Sequence, residues 1–321
     1  MNGAARIESR TGATRAGAPL AVSRAPAEDL RPWFYWMSIA EGTIPPGERV
    51  RCGRFSDHAS IMIIYGDPWT LHTADGTQTW DPGPDGRALY FGPHTYRMPV
   101  EIAGRYTVIK LQFHAGASSV LDLPDQSSIK DRVIDCEELF GRNIAALVDP
   151  RDDFEQRLRA LEQHFMRPLV AGAQGIDPLV TDFETQSFMN PDFAISEFAL
   201  RHGVSKRTVE RNIRRGFGMT PKQALRRARV MDAGAALLGV ARTEDDDDIA
   251  LRYFDQSHLI REVRAFFGMS PGELKGGAHP FLRIAIEARQ RRRLDVLNKL
   301  GPFEPGPWRN PEAEPEQRHS A

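Results

Sequence analysis

The sequence predicts an α+β chain, with a small N-terminal β-barrel followed by helices and then an all-α C-terminal domain. Three observations predict it. Short apolar segments separated by turn residues fill residues 30 to about 118. Helical patterning takes over from about 130. A 50-residue internal repeat of helical character lies in the last third.

A length of 321 residues suggests two domains. The net charge of −1 hides an asymmetry. Residues 189–300 hold 21 Lys and Arg against 14 Asp and Glu, so this stretch is +7 and the remainder −8. A basic half beside an acidic one points to a polyanion partner for the former. Cys52 and Cys136 lie far apart without metal-ligand spacing. They exclude a disulfide framework and fit a reducing compartment. Cys136, within the apolar pattern Val133-Ile134-Asp135-Cys136, reads as a buried structural thiol. No apolar run reaches the ~18 residues of a membrane helix, and no secretory h-region opens the chain. A soluble cytoplasmic protein with no membrane partner is expected.

Residues 1–27, rich in Ala, Gly, Arg and Ser, read as a disordered leader. The barrel follows. Ser60–Tyr65 is an apolar run of strand length, Trp69–Thr73 alternates, and Asp75-Gly76 marks a hairpin. Asp81–Gly86 is a turn, and Arg87–Phe91 and Tyr106–Phe113 are further strands. In Asp153–Phe165, Phe154, Leu158, Leu161 and Phe165 share one helical face, for its own domain's core or a dimer seam. The Pro- and Glu-rich residues 301–321 read as a disordered tail. The expected domains are 28–188 and 189–300.

The repeat carries the argument. One copy runs from Ser205 to Pro221 and the other from Asp255 to Pro271, without a gap. Val209, Arg211, Ile213 and Arg214 fall on Leu259, Arg261, Val263 and Arg264. Phe217, Gly218, Met219 and Pro221 fall on Phe267, Gly268, Met269 and Pro271. Such self-similarity means one supersecondary unit used twice. Ser205 and Asp255 are N-cap types, Gly218 and Gly268 suit a left-handed helix end, and each proline starts the next helix. Upstream, Ile195–His202 is a short amphipathic helix. Ala199, Gly203 and Val209 supply the small residue, turn glycine and apolar anchor of a helix-turn-helix.

On these residues, about 85 positions resemble the AraC/XylS family of transcription regulators, including the Gly-Met-Ser/Thr-Pro ending of both copies. The resemblance implies a sequence-specific DNA-binding regulator, double-stranded DNA as partner and no enzymatic activity or cofactor. It also implies RNA polymerase as a partner in activation, a homodimer, and an N-terminal cupin-like sensor domain for a small-molecule effector. The expected DNA-binding residues are Lys206, Arg207, Glu210, Arg211 and Arg214 in the first copy, and Gln256, Ser257, Arg261 and Arg264 in the second. Arg pairs bidentately with guanine and Gln with adenine, while Glu accepts from cytosine. Pro221 to about Leu238 reads as a rigid linker helix between two reading heads.

The second motif departs from the pattern. Ile249 and Tyr253 stand where Ala199 and Gly203 stand in the first copy, unless two residues are deleted near Arg252. The run Glu244–Asp248 would repel phosphates. An interaction protein with a degraded second motif is therefore an alternative. Arg289, Arg291, Arg292 and Arg293 form a basic cluster that would either contact phosphate or be solvated. A cupin-type enzyme with a DNA-binding appendage is a further alternative. However, His58, His72, His94 and His114 form no His-x-His pair, so no metal site is expected. Trp33, Trp36, Trp69, Trp80 and Tyr90 line a pocket or fill the core.

Overall fold

The computed structural model describes residues 6–10, 12, 20–241, 256–301, 310–313 and 316–318. The strand signals build two antiparallel sheets. The larger has the order β11, β8, β5, β10, β3, β2, β1, β12, and the smaller the order β4, β9, β6, β7. In chain order these are β1 Arg6–Glu8, β2 Val22–Arg24, β3 Phe34–Thr43, β4 Val50–Arg54, β5 Ser60–Gly66 and β6 Trp69–Thr73. They continue with β7 Gly76–Trp80, β8 Arg87–Phe91, β9 Met98–Ile102, β10 Arg105–Phe113, β11 Val133–Asp135 and β12 Glu316–Arg318.

Both faces of the larger sheet are covered. Ile61 and Ile63 of β5, with Ile109, Leu111 and Phe113 of β10, pack against the helices that follow the sheet in sequence. Met62, Ile64, Tyr106 and Val108 face the smaller sheet. Burial on both sides is why Ser60–Tyr65 is continuously apolar instead of alternating. Trp36, Trp69 and Tyr90 are core side chains, and Cys136 is fully buried.

The expected barrel is not closed. Among the described residues no ladder joins the sheets, and β11, β12, β4 and β7 remain edges. A C-terminal helix, α11 (Pro280–Asn298), covers the sandwich by laying Phe281 and Ile284 against its core. A cupin-like closed barrel is therefore corrected to an open two-sheet sandwich.

The expected disordered leader also needs correction. β1 and β2 extend the sheet from β3, and β12, in the expected disordered tail, pairs with β1. Arg24 at the end of β2 is buried against Glu162 at 2.8 Å and Glu155 at 3.2 Å. These acids lie more than 130 positions away, so composition alone could not reveal that order.

The sandwich helices are α1 Ala117–Val120, α2 Cys136–Phe140, α3 Phe154–Leu161 and α4 Arg167–Val170. A reciprocal cap between Asp153 and Gln156 opens α3. Phe154, Leu158, Leu161 and Phe165 bury in the chain's own core, not at an exposed seam. A single wide turn, Glu162–Met166, continues α3.

Seven helices among the described residues form the C-terminal part. They are α5 Pro178–Met189, α6 Ile195–Arg201, α7 Lys206–Phe217, α8 Pro221–Leu237, α9 Gln256–Phe267, α10 Pro271–Gly276 and α11. Leu179, Val180 and Phe183 of α5 pack with Phe198, Val209, Ile213 and Phe217. α5, most of which precedes the expected 188/189 boundary, thus packs with the helical unit. A second cluster gathers Val230 and Met231 of α8, Leu259, Val263 and Phe267 of α9, Leu274, and Leu282 and Ile286 of α11. No helix among the described residues is long and apolar enough to cross a membrane.

Candidate nucleic-acid interface

The first reading head is built by local signals. Ser205 caps α7, its hydroxyl accepting from the Thr208 amide at 3.1 Å. Gly203 sits at φ +63° in the turn, and Ala199 is buried where α6 meets α7. Val209, Ile213 and Phe217 turn inward. Lys206, Arg207, Glu210, Arg211 and Arg214 are consequently exposed together on the opposite face.

The second copy has the same construction where it is described. Leu259, Val263 and Phe267 are buried, while Ser257, Arg261 and Arg264 are exposed. Gln256 opens α9. The acidic run, Ile249, Tyr253 and the expected cap Asp255 lie outside the described residues. Both helices end in a glycine at φ +71°, Gly218 and Gly268. Pro221 and Pro271 then start α8 and α10. Reciprocal caps, Thr220 with Gln223 and Ser270 with Glu273, open these helices. The pairs are visible in the sequence as Thr-x-x-Gln and Ser-x-x-Glu, a capping signal that the repeat itself overshadows.

Residues 198–276 match the family described as Helix-turn-helix domain. This segment is an AraC-type helix-turn-helix domain. No curated protein matches the sequence. Among solved structures, ToxT from Vibrio cholerae is 8% identical over 75% of this chain and 98% of its own, with a TM-score of 0.45. The C-terminal domain of AraT, a response regulator from Geobacillus stearothermophilus, is 23% identical over 31% of this chain and 84% of its own, at 0.28. The AraC-like transcriptional activator CuxR is 12% identical over 67% of this chain and 86% of its own, at 0.25.

The sandwich holds the C-terminal ends of both recognition helices of this AraC-type domain. Arg97 donates its backbone amide to Phe266 O and its Nε to Phe267 O, each at 2.7 Å. At α7, the Gly116 amide donates to Gly216 O at 3.0 Å and the Ser119 hydroxyl to Arg215 O at 3.2 Å. The last carbonyls of a helix lack partners within it, and here the sandwich supplies donors. Arg226 of α8 pairs with Glu262 of α9, tying the linker helix to the second head.

The basic cluster on α11 overturns an expectation. Arg289, Arg292 and Arg293 contact neither solvent nor a phosphate-facing surface and are nearly fully buried at the junction with the sandwich. Arg289 reaches Asp232 of α8 at 2.9 Å and Asp57 at 3.4 Å, and Arg293 reaches Asp232 at 3.2 Å. Arg292 bonds Glu184 of α5, donates to His114 Nδ1 at 2.8 Å and stacks 3.8 Å from the Tyr35 ring centroid. Arg291 is the outlying member and pairs with Asp295 at 3.2 Å.

This network fixes protonation states. Glu184 also meets His58 Nε2 at 2.6 Å. Burial opposes the Glu184 charge, but Arg292 and His58 outweigh it and hold the carboxyl well below its ordinary value. Burial pushes His58 down, with Glu184 pulling the other way. A neutral His58 donates from Nε2 and leaves Nδ1 without a partner, as found. Burial, then Arg292, pushes His114 well below its ordinary value. Its Nδ1 lone pair is therefore free to accept from Arg292.

Proposed function

We propose that the chain is a sequence-specific transcription regulator in which α7 and α9 read major-groove faces. Lys206, Arg207, Glu210, Arg211, Arg214, Gln256, Ser257, Arg261 and Arg264 are the proposed contacts. The observation carrying this reading is the pair of recognition helices. Each buries its apolar face and presents arginines on the other. Arginine forks suit guanine edges and phosphates, and the linker helix α8 keeps the two heads at a set separation.

Control is proposed to run through the N-terminal sandwich, with a small-molecule effector biasing how it holds the heads. The contacts from Arg97, Gly116 and Ser119 to the ends of both recognition helices support this reading. A homodimer and a contact with RNA polymerase belong to the same proposal.

The test is fluorescence anisotropy on DNA from upstream of the protein's own gene, with excess competitor and a salt series. The double variant Arg211→Ala, Arg261→Ala should lose competitor-resistant binding, since each specific arginine contact contributes about 1–3 kcal/mol. Binding that competitor removes entirely, in the unaltered protein, would overturn sequence specificity.

A further inference from the structure

A cleft of about 830 Å³ runs beside the first reading head, between α7 and the connection that leads from the sandwich into α5. One wall is Arg211, Asn212 and Arg215 of α7, and the other is the loop Gly172–Gly175 with Ser119 of α1. Arg211 points away from the buried side of α7 that Val209 and Ile213 form. Arg215 lies one turn later and about 40° further round the helix. That is the side where Asn212 donates to Asp177 Oδ2 at 2.7 Å. The cleft is therefore the flank of the proposed reading face.

Its chemistry favours an anion. Neither Arg211 nor Arg215 has a carboxylate within salt-bridge distance among the described residues. Arg211 donates to Asn212 Oδ1 at 3.3 Å and Arg215 to the Ser119 carbonyl at 3.2 Å. Among the described lining residues Asp177 is the one carboxylate, and both its oxygens are engaged. Oδ1 accepts from the Leu179 amide at 2.9 Å and Oδ2 from Asn212. Asp177 caps α5, where the helix N-terminus already stabilises a negative charge. Two guanidinium groups thus stand against one committed carboxylate. Across the cleft, the amides of Gly172, Gln174 and Gly175 make no hydrogen bond among the described residues. The loop is nevertheless anchored. The Ala173 amide donates to Val170 O at 2.9 Å, and the Gln174 carbonyl accepts from Trp33 Nε1 of the sandwich at 3.1 Å.

Exposure decides between a small ligand and a polymer. Small-molecule sites bury most of their ligand, whereas Gly172, Gln174, Gly175, Arg211 and Arg215 are all exposed. An open cleft with arginines on one lip and amides on the other suits a phosphodiester chain, since both groups are common partners of DNA phosphates. We infer that this cleft receives the phosphate backbone beside the groove that α7 reads. The inference rests on the regulator reading above and extends the interface to residues 172–175, outside the helix-turn-helix segment. Because Trp33 holds that loop, a shift of the sandwich moves one lip of the DNA cleft.

The experiment is fluorescence anisotropy of the full-length chain on a duplex from upstream of its own gene and on an unrelated duplex, across a salt series. A Cβ on Gly175 meets nothing within 4 Å and its backbone is not left-handed, so Gly175→Glu and Gly175→Lys both fit. The former should weaken binding to both duplexes and the latter strengthen it. Each change should be about threefold at low salt, as one exposed charge acting over several ångströms implies. Thr79→Glu and Thr79→Lys, on the exposed β7, should change neither. Arg215→Gln should weaken binding to both duplexes alike and reduce the salt slope by about one, as the loss of one phosphate contact does. A merely structural role would not give opposite charges at one position opposite effects. Either of two results overturns the inference: a Gly175 pair that behaves like the Thr79 pair, or an unchanged salt slope in Arg215→Gln. Competitor-resistant binding indifferent to Gly175 sinks the cleft alone. Binding that competitor removes, but that still follows the charge at position 175, keeps the cleft and sinks sequence specificity. No DNA binding by the unaltered chain at any salt concentration sinks both.

Discussion

Replacing Arg292 with Met removes the guanidinium that α11 inserts between α5 and the sandwich. Glu184 and Arg292 are both below one-tenth exposed at the side chain, so little water would compensate the carboxylate left behind. Breaking one partner of a buried ion pair costs about 3–5 kcal/mol. The loss of the His114 bond and of the Tyr35 stack belongs to the same perturbation. In a domain of this size, 3–5 kcal/mol lowers the melting temperature by on the order of 10 °C. The companion variant Arg292→Met, Glu184→Leu removes both charges and should recover much of that loss, because an apolar pair of similar volume often replaces a buried ion pair neutrally. Differential scanning calorimetry of the unaltered chain, both single variants and the double variant closes the cycle. A drop of less than about 1 kcal/mol for Arg292→Met, the size of an exposed pair's contribution, would refute the claim that this pair joins the two halves. A double variant as unstable as the summed singles would do so too.

Acid should destabilise the fold earlier than carboxylate chemistry alone would. His58, His94 and His114 are all held below the ordinary histidine value, burial first in each case. The unfolded chain takes up these protons near pH 6.5 and the folded chain resists them. Stability is therefore retained above that pH and falls below it, by up to about 1.4 kcal/mol per pH unit for each histidine. Glu184, held well below its ordinary value, adds a loss that begins only near pH 4.5. Melting temperatures from pH 8 to 5 should drop below pH 6.5, less so in His94→Asn, and a flat profile would contradict the buried neutral assignments. The two repeat glycines should also respond differently to Ala, although both sit at φ +71°. A Cβ on Gly218 would lie 2.5 Å from Gln126 O, whereas on Gly268 its nearest neighbour is Arg97 Nη2 at 3.9 Å. Gly268→Ala should cost about 1 kcal/mol from the left-handed backbone, and Gly218→Ala clearly more. Equal losses in thermal unfolding would count against the close approach of the sandwich to α7.

The reading heads are legible in the sequence because their signals are local. A cap at Ser205, a left-handed glycine at Gly218 and a proline at Pro221 act within a few residues, and the glycine and proline recur 50 positions later at Gly268 and Pro271. The apolar period of Val209, Ile213 and Phe217 decides which face is buried, and so which arginines are exposed. The strands at Ser60–Gly66, Trp69–Thr73, Arg87–Phe91 and Arg105–Phe113 are legible through apolar runs, alternation and turn residues, whereas Met98–Ile102 is not read as a strand. Periodicity says nothing about which strands pair. The division of the strands into two open sheets and the pairing of residues 6–8 with 316–318 depend on backbone partners far apart in sequence.

The α11 arginines show where local reading stops. As a sequence, Arg289 and Arg291–Arg293 are a basic run like any phosphate-binding or solvated one. Their carboxylate partners Asp57, Glu184 and Asp232 come from a strand connection and two other helices. The sequence by itself determined that a helix ending in a left-handed glycine before a proline would form twice, and which of the described side chains on those helices would face outward, because the apolar period and the glycine are short-range signals. Only the tertiary structure decided that three arginines would be buried against Asp57, Glu184 and Asp232, because burial and charge compensation depend on which distant segments meet.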